Sequence, residues 1–366
     1  MSFLRRASRR SRAEWYKRCM TSRSRLPLIG TVVVVAALVL GLVSTTRGRA
    51  DASPTLPAVA PQELLASTIG AVAAPHAISG DVTSAVDIGI PDIPSNLGGG
   101  STGPVASLLG TQHFKVWRSP DGVRVAHITD FAEQVVVANT TDAWLWDSNG
   151  MKAEHVSLAG LHPDHAAWFA PSGTVDPSAI AAAALTAVGP YANVSVDTTA
   201  VVAGRPVYQL VLAPSGAPRT LVGTITVAID AETRLPLQLD VTAKGATTPA
   251  IRIGFTSVSF DPIDPATFTF TPPPGATITT RSPSGSGMSG DRHAGGTHPQ
   301  TRVFGSGFDT RVAFRLDHPL PDQDAAFLPF AGPLFSVLPV HAGGADWVLV
   351  GPVDLDTLRE DAARLT

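Results

Sequence analysis

VVAGRPVYQLVLAP (Val201 to Pro214), TLVGTITVAIDAETRLPLQLDV (Thr220 to Val241), AIRIGFTSVSF (Ala250 to Phe260) and ATFTFTPPPGA (Ala266 to Ala276) are extended apolar runs that follow one another closely along the chain. Val, Ile, Thr, Tyr and Phe dominate them, and Gly204-Arg205-Pro206, Asp230-Ala231-Glu232-Thr233 and Asp261-Pro262 punctuate them. β-branched and aromatic runs separated by turn residues predict an antiparallel sheet built of consecutive hairpins. Apolar side chains fall on both alternating faces, and no reactive group stands among them.

Working outward, the same pattern continues upstream. Strands are expected at His76 to Ile88, His113 to Arg118, Val123 to Thr129, Glu133 to Ala138, Ala143 to Asp147 and Glu154 to Leu158. Ser119-Pro120-Asp121-Gly122 places Pro second and Gly fourth, as a type I turn prefers. Gly89 to Gly103 reads as a long loop. Two helices interrupt the strands. PQELLASTIGAVAA opens with Pro61 at a first helical position and carries Leu64, Leu65, Thr68 and Ile69 on one face. VDPSAIAAAALTAVGP has Asp176 as N-cap, Pro177 next, an alanine-rich body, and Gly189-Pro190 as its stop. Downstream, RSPSGSGMSGDRHAGGTHPQ is too polar to bury a core and reads as a linker. The final stretch predicts strands at Leu334 to Val340 and Trp347 to Val350 around Gly343-Gly344, then a helix from Asp354 to Leu365. A unit this small needs to dock onto the main sheet.

Of 366 residues, 44% are apolar and only 16% charged. Leu26 to Val43 is an uncharged run of 18 residues, about 27 Å as a helix and so able to span a bilayer. Nine basic residues and one acid, Glu14, precede it, a local net charge of +8. The positive-inside rule then leaves the N-terminus in the cytoplasm and the remainder outside. Ala50-Asp51-Ala52 has the form of a cleavage site, so the alternative is a signal segment whose removal yields a secreted chain. The overall charge of −3 leaves −11 beyond the leader. That acidity argues against nucleic acid as a partner. The single cysteine, Cys19, precedes the apolar run, which excludes disulfides and thiolate metal sites in the exported part.

Searching for chemistry yields little. His155, His162, Asp164 and His165 could be metal ligands, but His162-Pro163-Asp164-His165 lies on a proline-broken loop without helical ligand spacing. No G-x-S-x-G elbow or phosphate-binding loop occurs, and the Gly285, Gly287, Gly290 pattern lacks the strand and helix a dinucleotide site requires. No catalytic residue, metal or cofactor is expected. Trp144 and Trp146 share one face of a strand at period two, either as core or as cavity lining.

The segments PQELLASTIGAV (Pro61 to Val72), AISGDVTSAVDIGIPDIP (Ala77 to Pro94), HFKVWRSPDGVRVAHI (His113 to Ile128), VVVANTTDAWLWDSNGMKAEHV (Val135 to Val156) and Thr220 to Ala276, in this order, resemble the LolA-like lipoprotein-carrier superfamily, which includes LolB and RseB/MucB. GPLFSVLPVHAGGADWVLVGPVDLDTL (Gly332 to Leu358) resembles a C-terminal tail of such proteins. The resemblance implies a mainly β (α+β) fold: a half-open antiparallel β-barrel with lid helices on its concave face, behind the N-terminal transmembrane helix. The division would be 1–25 basic leader, 26–44 anchor, 45–60 stalk, 61–279 half-barrel, 280–302 linker and 303–366 C-terminal unit. It further implies a non-enzymatic extracytoplasmic protein that holds lipid or lipoprotein acyl chains in an apolar cavity. The alternative it carries is an envelope-stress sensor that binds an anti-sigma factor or another envelope protein. The cavity lining expected is Phe114, Val116, Val135, Val137, Trp144, Trp146, Leu210, Leu212, Ile225, Val227, Leu237, Leu239, Ile253 and Phe255. Leu64, Ile180 and Leu185 would come from the lids. Arg118 and Arg124 stand at candidate strand positions for a lid-gating arginine.

Overall fold

The computed structural model describes residues 54–74, 76–89, 110–129, 131–158, 176–216, 219–281, 300–316 and 328–365. Twelve of its strands form one sheet: β1 (Ile78–Val86), β2 (Gly110–Ser119), β3 (Gly122–Ile128), β4 (Glu133–Asn139), β5 (Asp142–Asp147), β6 (Lys152–Ser157), β7 (Ala192–Val202), β8 (Arg205–Pro214), β9 (Val222–Asp230), β10 (Pro236–Ala243), β11 (Ile251–Ser259) and β12 (Thr277–Arg281). Their spatial order is β12-β6-β5-β4-β3-β2-β1-β11-β10-β9-β8-β7. Every pairing is antiparallel except β12 with β6. The sheet is therefore two hairpin meanders joined where β1 pairs with β11. Ala203 (φ 50°) and Gly204 (φ 76°) make the tight β7–β8 turn, the left-handed pair that matches strand twist.

The sheet is open: β7 and β12 stand at its two ends. Its β7–β11 half is nonetheless strongly curled. Cα atoms of β7 approach those of β11 within 8 Å, whereas four steps across a flat sheet would separate them by about 19 Å. Helix α1 (Pro61–Ala73) lies against β7 and β8, and α2 (Pro177–Val188) against β10 and β11, with the two helices touching.

A second sheet follows, in the order β13 (Thr301–Phe304), β14 (Arg311–Arg315), β17 (Ala345–Gly351), β16 (Ser336–Ala342), β15 (Phe330–Ala331), with α3 (Leu355–Ala362) packed on β16 and β17. A β-bridge joins Thr220 to Val353, and the Leu221 amide donates to the Pro352 carbonyl at 2.7 Å. Phe308, Leu334 and Phe335 are buried in the main core.

Several expectations need correction. Ala266 to Ala276 is not a strand of the sheet: Pro265–Phe268 is a 3-10 turn, and the following segment crosses the sheet face with Phe268 and Phe270 pointing into it. Five prolines between 262 and 274 remove the amides that a ladder needs. β7 begins well before Val201, because Asn, Ser, Asp and Thr at its exposed positions conceal an edge strand. β12 takes the first residues assigned to the linker, and the C-terminal unit has five strands where two were expected. The apolar run 26–43 and most of the Gly89 to Gly103 loop lie outside the described residues. Among those described, no helix is long and apolar enough to cross a membrane.

Candidate ligand-binding face and its clasp

Residues opposite one another in a β-ladder project to the same side of the sheet, so the register assigns each side chain to a face. Leu210 pairs with Val227, Val227 with Leu239 and Leu239 with Ile253; Leu212 pairs with Ile225. Phe255 pairs with Val82, Val82 with Phe114, and Val116 with Val125. Leu237, two residues from Leu239, belongs with them. Ten of the expected lining residues thus share a single apolar face, continuous from β8 through β1 to β3. Leu64 of α1 and Leu185 of α2 are buried in the same cluster, and Ile180 packs against it half-buried.

The other four do not join them. Across from Val116 and Val125 stand Val136 and Leu145. Val135, Val137, Trp144 and Trp146 therefore point to the opposite face, where they pack with Phe268 and Phe270 in a separate core. The cause is the apolar triplet Val135-Val136-Val137, which carries no period-two signal and leaves the strand phase open. Val136 and Leu145 were missed for the same reason; Val82 and Val125 also stand on the helix-side face and were not among the expected lining.

Over β8 to β10 the helix-side face is covered by the described residues. Leu210, Leu212, Val227 and Leu237 are all 0% exposed, so the protein's own atoms enclose them. Side chains of α1, α2 and the buried aromatics of the C-terminal unit contribute to the same core.

What holds the cover down is polar. Asp176, 1% exposed, accepts from the Ser178 amide at 2.9 Å as the N-cap of α2. Its second carboxylate oxygen, Oδ2, lies 3.0 Å from Nε of Arg118. Arg118 belongs to the same side of β2 as Phe114 and Val116. Its Nη2 donates to Nε2 of His76 at 2.8 Å, just beyond α1. The Ser178 hydroxyl donates to the Pro236 carbonyl at 2.6 Å, fastening α2 to β10. One guanidinium thus reaches both the N-cap of α2 and His76, which lies between the end of α1 and the start of β1. Arg124, the other arginine considered, lies on the far face, donates to the Thr267 carbonyl and approaches the Trp117 ring. Asp176 was legible as a cap; its partner was not, since 58 residues separate them.

Two further polar groups involve histidines of the sheet. His155 reaches Asp142 at 2.6 Å and stacks on Trp144 at 4.2 Å. Hydrogen bonds from Thr141 and then His155 hold the Asp142 carboxyl below its ordinary range. On the helix side, burial and the neighbouring His113 push the His127 imidazole down against a hydrogen bond to Gln134. Among the described residues, no three His, Cys, Asp or Glu side chains converge to hold a metal. His162, Asp164 and His165 lie outside them.

These features define a class: a mainly β protein with an open, half-curled antiparallel sheet whose apolar face is covered by two short helices. No family model and no curated protein matches the chain. Solved structures similar to it include MucB and LolA-superfamily proteins. The MucA/MucB complex of Pseudomonas aeruginosa is 18% identical, over 83% of this chain and 96% of that one, with a TM-score of 0.45. A MucB structure is 17% identical over the same shares, with a TM-score of 0.41. A LolA-superfamily protein of Nitrosomonas europaea is 9% identical, over 58% of this chain and 99% of that one, at 0.24.

Proposed function

We propose that this chain is a membrane-tethered extracytoplasmic binding protein that holds a lipid or lipoprotein acyl chain against the helix-side face, beneath α1 and α2. The observation that carries this reading is the clasp. Arg118 reaches from the apolar face to Asp176, the N-cap of α2, and to His76 in the segment between α1 and β1, so one polar point lies at the edge of the cover over side chains with no chemistry of their own. Between the helices and the sheet the contacts are apolar and, on α2, mostly small: Ala181 and Ala184 beside Leu185. Small residues bury little area, and an acyl chain sliding under α2 replaces what their removal exposes. Each buried methylene contributes about 0.8 kcal/mol, so a dozen supply roughly 10 kcal/mol before ordering costs. Holding needs no covalent step.

The test is labelling of the full chain in membranes with a diazirine-bearing fatty-acyl probe, followed by peptide mapping. Labels are expected on β8 to β11 and on α1 and α2, with a several-fold increase in Arg118→Met. Labels spread over unrelated surface, or none, overturn the reading. Capture of an envelope protein on a label-free chain would favour the sensor alternative.

A further inference from the structure

The clasp contains an imidazole whose two nitrogens are both committed. Nδ1 of His76 lies 2.7 Å from the Ala74 carbonyl oxygen, a group that only accepts, so Nδ1 carries the ring proton. Nε2 lies 2.8 Å from Nη2 of Arg118, a group that only donates, so Nε2 offers its lone pair. Together the contacts select the neutral ring with the proton on Nδ1. A second proton can settle only on Nε2. There it sets donor against donor and cation against cation.

The surrounding charges do not neutralise that conflict. Arg118 is the charged group in direct contact, and Asp176 of the α2 N-cap touches the guanidinium from the other side. The Asp176 oxygen Oδ1 is engaged by the Ser178 amide. In the ladder Arg118 is flanked by Ile78 of β1 and Val123 of β3, both apolar. The last turn of α1, which leads to His76, carries no acidic or basic residue.

We infer that His76 is a pH-sensitive release for the helical cover. With the ring neutral, Arg118 is held by His76 and Asp176 at once and the cover is fastened. When the ring takes a proton, donor faces donor and Arg118 is driven from His76. The end of α1 then loosens from β2 while α2 keeps its Arg118 and Pro236 contacts, and the apolar face becomes accessible from the α1 side. Acid opens the cover; neutral pH closes it. This rests on the reading of α1 and α2 as a movable cover, but not on what enters beneath them.

Hydrogen exchange of the full chain, at pH 5.5 and 7.5 and corrected for intrinsic rates, tests the inference. Peptides from the end of α1 are expected to exchange about tenfold or more faster at pH 5.5, the size of one lost hydrogen bond to a charged group. His76→Gln offers an acceptor and does not titrate, so its exchange should be slow at both values. Equal protection of the wild type at both pH values overturns the inference, as does a pH response retained by His76→Gln. Nitrogen chemical shifts of the wild-type ring at pH 8 provide a check that needs no variant: a proton on Nε2 overturns it. Acyl labelling run in parallel separates the two readings. Acid-released exchange without label removes the lipid assignment and leaves the switch standing; label without acid-released exchange removes the switch alone.

Discussion

Asp230 shows how much a single side chain can hold. It ends β9 and is 0% exposed, yet it accepts from Arg205, from the Thr233 amide and hydroxyl, and from the Glu232 amide. Burial pushes its carboxyl up, but the Arg205 and Thr233 hydrogen bonds outweigh burial and hold it below the ordinary value. A depressed folded value means the stabilisation is present above about pH 4 and is lost as pH falls through the folded value. Asp230→Asn is therefore expected to cost about 1–3 kcal/mol at pH 7, since it removes the charge-assisted bonds of a buried carboxylate while Arg205 keeps Glu232 as a partner. Its stability should also fall less steeply below pH 4 than the wild type's, as read from urea midpoints across pH. Gly122 makes a different demand. A Cβ there would sit 2.8 Å from the Phe268 ring, so Gly122→Ala should cost about 1–3 kcal/mol through overpacking. Only the turn preference of Gly122 was legible; the Phe268 ring above it arrives from 146 residues away.

At the scale of elements, legibility followed the strength of local signals. Helix α2 could be read in advance because its punctuation is local: Asp176 caps it, Pro177 starts it, and Gly189-Pro190 turns it into the 3-10 turn Gly189–Tyr191. β8 to β11 were legible because turn residues bracket alternating apolar runs. The facing of β4 and β5 was not, since DAWLWD is apolar at consecutive positions and burial depends on which neighbour covers which side. The register makes this testable. Trp146 is 6% exposed and Leu145 46%. Trp146→Ala should cost about 3–5 kcal/mol, and Leu145→Ala under about 1 kcal/mol, as for a surface site. Equal losses in thermal denaturation would refute the assigned faces. The clasp illustrates the converse: Asp176 was legible as a cap and Arg118 as one of two arginines at candidate strand positions, but that they meet, with His76 beside them, only the fold reveals.

At the scale of the whole molecule, the central question is whether the two sheets melt as one. The C-terminal unit has its own small core of Ala313, Leu338, Trp347, Leu349, Val353, Leu358 and Leu365. Arg311, buried beside Asp361, fastens β14 to α3. Seven residues make a thin core for a unit of this size, and part of its apolar surface is spent elsewhere: Phe308, Leu334 and Phe335 are buried among the side chains of the main sheet. Gly307 abuts the Tyr191 ring at the end of α2, where a side chain at position 307 would collide. The second unit thus packs against the same helix that the Arg118 clasp fastens at its other end. Phe308→Ala should remove about 3–5 kcal/mol from this junction, with little change inside either core. Calorimetry of the wild type is expected to show one transition whose van't Hoff and calorimetric enthalpies agree, whereas Phe308→Ala should show two, the C-terminal unit melting first. If the variant instead retains a single transition merely shifted downward, the units share more than this junction and α2 is not independently held at its far end. If the wild type already melts in two steps, the bridge at Thr220 and Val353 and the three buried side chains do not couple the units, and the cover over the apolar face must be secured by the clasp alone.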